Sequence, residues 1–260
     1  MDKNKKESRS MKRLTINGDD YGLNEHCSKA IAQAFDEGLI TDTTMMANGE
    51  YFDQAVQLAR ERGFIDNIGI HLNLTWGVPL TEDIKKCPRF VTDGHFTKDY
   101  DRTRPLHNDE KAAIEKELRA QIEKISAAGI KINHADSHHH IHTGVFIAPI
   151  AARVCREKGI DKMRLHRNAG NISFVKRIVK NKYNKWLHRQ GFKTTAFFAY
   201  VVDLAGSEIP DDTEVMVHPD FDGDGKLVDR RGMENDVPFG EPIPVYTGDP
   251  EIKLRGYSQL

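Results

Sequence analysis

Cysteine is scarce in this chain: Cys27, Cys87 and Cys155 are the only three in 260 residues, and no two form a CxxC pair. That argues against a disulfide frame and a thiolate zinc cage, and fits reduced, packed thiols in a cytoplasmic protein. A charge excess of either sign is also missing. The 38 Lys and Arg face 39 Asp and Glu, for a formal net charge of −1, so a nucleic-acid partner is not expected. No run of roughly 18 or more apolar residues occurs, which leaves nothing to span a membrane as a helix. The opening MDKNKKESRS has no apolar stretch behind it and does not read as a secretory signal. Residues 1–12 read as a disordered leader and 13–260 as one domain. No GxGxxG follows the first apolar segment, which removes the commonest reason to expect a dinucleotide-binding fold.

What the chain does have is alternation. RLTING, TDTTMMAN, NIGIHLNL, IKINHAD, DKMRLH, TTAFFAY and EVMVHP read as strands. Between them, amphipathic segments predict helices over Asn24–Gly38, Phe52–Arg62, Asn108–Ala128, Phe146–Lys158 and Phe174–Gln190. Asn108 or Asp109 is the expected cap of the third helix and Gly129 its stop. Strand alternating with helix implies parallel pairing through right-handed crossovers. About seven strands in one domain suit a TIM-barrel-like (β/α) barrel. Residues Trp76–His107 form a long irregular stretch with three prolines, and a loop of that size in a compact domain is usually functional.

Polar residues gather at the carboxyl ends of these strands: Asp19 and Asp20 after the first, His71 after the third, Asp136 and His138 after the fourth, Arg164 after the fifth, His218 after the last. In a barrel, that edge forms a single mouth, where chemistry resides. A lone strand-end histidine is commonly a packing residue, but several strand ends delivering Asp or His to one mouth form a pattern. One carboxylate with two imidazoles suits a divalent cation with open coordination positions, such as zinc, manganese, iron or cobalt; magnesium usually prefers oxygen ligands.

The stretch KINHADSHHHIHTGVF packs five histidines into nine positions. Strand alternation places His134, Asp136 and His138 on one parity, with Ser137 and His139 on the other. His140 and His142 fall where the strand must already be giving way to the loop, so His138 is favoured over His140 as the ligand, leaving His142 at the rim or behind the ligands.

NGDDYGLN, TDTTMMANG, IGIHLNLTWGVPL and HADSHHHIH, in this order and at these separations, resemble the YdjC/ChbG family of carbohydrate deacetylases. EVMVHP resembles that family's last catalytic-face motif. The resemblance runs from about Arg13 to Pro219 and implies a TIM-barrel-like fold with a metal site of one Asp and two His. Matched position by position, that site falls on Asp20, His71 and His138. It also implies hydrolysis of N-acetyl groups on amino-sugar oligosaccharides such as those from chitin. Gly18 stands where the family usually has alanine, and the chain beyond Asp220 does not follow the family pattern.

An amide is a poor electrophile, and a metal helps by lowering the pKa of bound water and polarising the carbonyl. One divalent ion, zinc or magnesium, is the expected cofactor. Asp19 is the expected general base, partly by analogy with the paired aspartates of other polysaccharide deacetylases. His218 is the expected proton donor to the leaving amine. Arg164 is assigned to brace a carboxylate or meet sugar hydroxyls. Asn48 and Asn73 are assigned to hydroxyl recognition, Trp76 to a pyranose face, and His142 to the pocket rim. The apolar content of the outer helices suggests a homodimer.

Two alternatives keep part of this reading. A phosphoesterase usually needs two metals and more bridging carboxylates than the strand ends offer. A non-catalytic metal- or sugar-binding barrel would release no acetate. Two other signals are set aside. DFDGDGKLVDRR spaces Asp220, Asp222, Asp224 and Gly225 like a calcium loop, but its twelfth position is Arg231, where a bidentate Glu is required. The basic helix FVKRIVKNKYNKWLHRQ reads as the solvated face of an outer helix, with Phe174, Ile178, Val179 and Trp186 marking a buried face.

Overall fold

Eight successive buried residues, Leu14 to Tyr21, make up most of the first strand, β1 (Lys12–Tyr21). Such a run is expected of a parallel strand covered on both faces. Leu14 and Ile16 point to the apolar layer, while the alternate Thr15 and Asn17, also buried, face the barrel interior. The computed structural model describes residues 11–170, 172–203, 208–230, 246 and 248–260. The expected leader therefore lies almost wholly outside the described residues, as does Arg231.

The element order is β1, α1 (Glu25–Asp36), β2 (Asp42–Met45), α2 (Phe52–Glu61), β3 (Ile68–Leu72), α3 (Glu82–Lys85), β4 (Val91–Thr92), β5 (His95–Phe96), α4 (Asn108–Ala127), β6 (Ala135–Ser137), α5 (Ala148–Glu157), α6 (Phe174–Arg189), β7 (Phe197–Tyr200), β8 (Thr213–Val217), β9 (Pro219–Phe221), β10 (Leu227–Asp229) and β11 (Ile252–Leu254). The main sheet runs β6-β3-β2-β1-β8-β7, with β11 also on β1, and every pairing in it is parallel. It curls into a TIM-barrel-like half-barrel. Its two edges approach one another through the extended segment 161–169: Ala135 pairs with Met163, and the Asn168 N–H donates to the Phe198 carbonyl at 3.2 Å.

Among the described residues the main sheet has seven strands, as expected, but one member differs. DKMRLH is not a strand of the sheet; it contributes isolated bridges at Lys162 and Met163. Its place in the count is taken by β11, from the part of the chain where no pattern was visible. The third long helix starts at Asn108 with His107, not Asn108 or Asp109, at the cap position; the Glu110 carboxylate accepts from the His107 N–H at 2.8 Å. Asp220–Asp229 is a β-hairpin: Asp222 Oδ1 accepts from the backbone N–H groups of Asp224 and Lys226 across its turn.

One expectation is reversed. Phe174, Ile178 and Val179 of α6 are not a buried face: they are 77%, 44% and 61% exposed. The helix meets the barrel by its other side. Asn184 bonds the backbone of His166 at 2.8 and 2.9 Å, Leu187 is fully buried, and Trp186 packs half-buried. Periodicity reveals an apolar stripe, but only the neighbouring elements decide whether anything covers it.

Gly69 in β3 shows how the barrel interior is made. A Cβ there would lie 2.4 Å from the His134 ring. Only glycine lets that imidazole enter, where it stacks on Tyr257 with ring centroids 3.7 Å apart.

Candidate active site

The ends of β1, β3, β6 and β8 open on one mouth. Both Asp19 and Asp20 turn inward because β1 breaks register between Gly18 and Tyr21, and Asp20 adopts a left-handed φ of 72°. His139 and His140 are also left-handed, at φ 48° and 54°. For residues with a Cβ that conformation costs about 1–3 kcal/mol each and is typically retained at functional sites.

Asp20, His71 and His138 meet. Asp20 Oδ1 lies 3.1 Å from His71 Nε2 and 2.8 Å from His138 Nδ1, and Asp20 and His71 are each 1% exposed. Ligand bonds of about 2.0–2.1 Å place neighbouring donor atoms roughly 3–3.4 Å apart, so this spacing suits one shared cation. The donor chemistry agrees. His71 Nδ1 donates to Asp136 Oδ1 at 2.6 Å, since a carboxylate only accepts. A neutral His71 then turns the lone pair of Nε2 toward another acceptor, Asp20, and the pair requires a positive charge. Burial opposes charging this ring, but Asp136 and Asp20 outweigh it and push His71 up to about 10. The site thus attracts a cation, be it a proton or a metal.

A second group, Asp19, His71 and Asp136, has compatible spacing. There the space between the carboxylates is already occupied by Arg164. Its guanidinium donates to Asp19 Oδ2 and Oδ1 at 2.7 Å each and reaches Asp136 Oδ2 at 2.6 Å, while its Nε donates to Glu214 Oε1 at 2.6 Å. Burial would raise the Asp19 carboxyl, but Arg164 holds it well below the usual carboxylate range. Asp19 is ionised, aimed by a bidentate clamp and further bonded by Asn17 Nδ2 at 2.8 Å.

Asp19, Asp20, His71, His138, His218 and Arg230 border a small polar floor. Above it opens a cleft of about 660 Å³, lined by Leu23, Trp76, Phe96, Lys98, His139 and Arg230 among others. The hairpin β4–β5 supplies much of the outer wall, so the long segment after Trp76 does serve the site. Trp76 is half exposed there.

Several expected contacts are corrected by their surroundings. Arg164 is fully buried and spends its guanidinium on three carboxylates, so it braces Asp19 and does not reach sugar hydroxyls. His142 is fully buried rather than at the rim; burial pushes it down to about 3, and its Nδ1 pairs with the Ser137 hydroxyl at 2.5 Å. Asn73 is also fully buried: its Oδ1 accepts from the N–H of Thr75 and Trp76, and its amide bonds Asn48 Oδ1 and the Trp76 carbonyl. Asn48 donates to the carbonyls of Trp76 and Val78 at 2.9 and 3.1 Å. The two asparagines shape the Trp76 loop instead of presenting free amides.

Besides Arg230, which borders the floor, sequence reading missed three contributors. Thr44 donates to Asp136 Oδ2 and also lies 3.0 Å from His71 Nδ1. Glu214 carries Arg164 from below, and Tyr257, at the start of the short helical turn that follows β11, donates to Glu214 Oε2 at 2.5 Å. A signal existed for Glu214: a charged residue on an otherwise apolar strand of a parallel sheet has only the barrel interior to face. Tyr257 had none.

A family model described as YdjC-like protein matches residues 13–238. A protein named carbohydrate deacetylase from Brevibacillus brevis is 29% identical over 257 residues, covering 95% of this chain and 99% of that protein. Carbohydrate deacetylase 1 from Listeria innocua is 28% identical over 256 residues, covering 95% and 100%. Among solved structures, a putative cellobiose-phosphate cleavage protein from Enterococcus faecalis superposes with a TM-score of 0.71 at 22% identity, covering 95% of this chain and 98% of that one. At that identity the likeness concerns the fold.

Proposed function

The chain belongs to the YdjC-like protein family, and from that premise we propose that it is a carbohydrate deacetylase, a metal-dependent hydrolase removing N-acetyl groups from amino-sugar oligosaccharides of the chitin type and releasing acetate. The observation that carries this reading is the convergence of Asp20 Oδ1, His71 Nε2 and His138 Nδ1 beneath an open cleft, with ionised Asp19 alongside. Full-length relatives named carbohydrate deacetylase support the reaction class.

Asp20, His71 and His138 would hold one divalent cation, zinc or magnesium. When bound, such an ion lowers the proton affinity of water and polarises an amide carbonyl. The chain's own groups account for the remaining steps. Asp19, kept anionic by Arg164, accepts the proton of the attacking water. His218, on the same polar floor, donates a proton to the departing amine. Asp136 holds the Nδ1 hydrogen of His71 and leaves Nε2 as the ligand atom. Trp76 offers a flat apolar face to a pyranose ring at the cleft.

The test is acetate release from diacetylchitobiose and longer N-acetylated oligomers by protein stripped of metal and reloaded with single ions. Acetate production restored by one divalent ion is the expected result. Stoichiometric metal binding without acetate from any N-acetylated sugar would overturn the reading in favour of a binding protein.

A further inference from the structure

Arg230 enters the site from DFDGDGKLVDRR, the stretch set aside above as only resembling a calcium loop. The hairpin β9–β10 folds back on the end of β8: the Arg230 N–H donates to the His218 carbonyl at 2.8 Å, and Asp229 Oδ2 accepts from the His218 N–H at 3.2 Å. These bonds fix the start of the Arg230 side chain beside His218. Its Nη2 then donates to Asp20 Oδ2 at 2.5 Å, while Nη1 stands 3.7 Å from Asp220 Oδ2. The guanidinium borders both the polar floor and the outer cleft.

The two oxygens of Asp20 are therefore divided. Oδ1 faces His71 and His138; Oδ2 faces Arg230. A carboxylate with both oxygens free can chelate a cation through both and fill a position that water or a carbonyl needs. A charge-assisted hydrogen bond to one oxygen opposes that, and arginine does not lose its proton to weaken it. We propose that Arg230 is a positioning residue that holds Oδ2 of Asp20, so that this aspartate offers a metal only Oδ1 and the site keeps a coordination position open for the reaction. The inference rests on the metal-dependent deacetylase reading of the same site.

Cobalt(II) provides a readout separate from turnover, because its visible absorption weakens as its coordination number rises. Stripped protein, Arg230→Met and Arg230→Lys are each titrated with cobalt(II), and acetate release is followed in parallel. Arg230→Met is expected to bind cobalt with lower molar absorbance than the parent and to lose about 10- to 100-fold in kcat with KM unchanged, the usual scale for a group behind a metal ligand. Arg230→Lys, which keeps a charged donor, restores most of both. A parent-like spectrum in Arg230→Met overturns the proposal, as does an equal spectral change in Arg230→Lys, since the hydrogen bond to Oδ2 would then not be the cause. A kinetic loss confined to KM also overturns it and makes Arg230 a substrate contact. If the parent protein releases no acetate, the deacetylase reading fails, while the spectra still judge the grip of Arg230 on Asp20.

Discussion

Arg164 clamps Asp19 through two hydrogen bonds of 2.7 Å each, and neither side chain is more than 2% exposed. The same guanidinium reaches Asp136, which orients His71, and Glu214, which is bonded by Tyr257. One buried arginine thus links the expected base, the histidine proposed as a metal ligand and the C-terminal stretch.

Removing that arginine leaves three buried carboxylates without their shared counter-ion. Arg164→Met is expected to lower unfolding stability by about 3–5 kcal/mol, the scale for breaking a buried pair from one side. Urea denaturation of the metal-free protein measures it. A loss of less than 1 kcal/mol, roughly the worth of an exposed pair, would contradict the clamp.

Asp19→Asn keeps the size of the side chain and removes its basicity. We expect zinc binding to persist and kcat to fall by about 10²- to 10⁴-fold, the typical contribution of general base catalysis. Calorimetric zinc titration beside an acetate assay separates the two effects. An unchanged kcat would leave Asp19 a structural acceptor only.

His71→Ala and His138→Ala each delete one of three converging donors. Both variants are expected to lose retained zinc on dialysis, measured by elemental analysis, and acetate release with it. His140→Ala should keep its metal, because His140 Nε2 instead meets the Tyr200 hydroxyl at 2.9 Å. Metal loss in His140→Ala alone would move the site.

Burial pushes Asp42 up from its ordinary 3.8 to about 7, against the pull of hydrogen bonds from the Tyr257 N–H and Asn133. A carboxyl whose pKa is raised on folding holds its proton longer in the native state. Its stabilising share is complete below about pH 4 and is lost as pH rises through about 7. Glu214, raised to about 7 by burial against Arg164, adds a slope of the same sign. Asp42→Asn is expected to flatten, not abolish, the fall in stability between pH 4 and 7. Denaturation midpoints across that window test it, and an unchanged slope would refute it.

Trp76 is half exposed at the cleft, where its ring can lie against a sugar. Trp76→Ala is expected to raise KM by about tenfold, on the order of 1.4 kcal/mol, with kcat nearly unchanged. A fall in kcat alone would assign the ring to the loop rather than to the substrate.

Much of this was legible from local pattern. Alternating apolar and amphipathic segments located six of the seven strands described in the half-barrel, all but β11, and the polar residues at their carboxyl ends were the ones that met, because parallel strands all end at the same mouth. Strand parity did not separate His138 from His139, because β6 ends at Ser137 and both histidines lie in the turn beyond it, bordering the site. The use made of Arg164, Asn73 and His142 was harder to read. Each lay at a plausible depth, but whether a polar side chain faces a ligand or is consumed by neighbours depends on contacts from distant segments. The α6 stripe failed for the same reason in reverse: its period was right and its partner absent among the described residues.

Sequence by itself determined most of the order of strands and helices, the Asp and His at the strand ends, and the family likeness carried by those motifs. These follow from short-range periodicity and from the alternation of side chains along a strand. Tertiary structure alone decided that Arg230 and Tyr257 join the network and that one arginine neutralises carboxylates from β1, β6 and β8. Such groupings depend on which segments the chain brings together across more than a hundred residues, and burial then makes charge pairing obligatory where solvent would have made it optional.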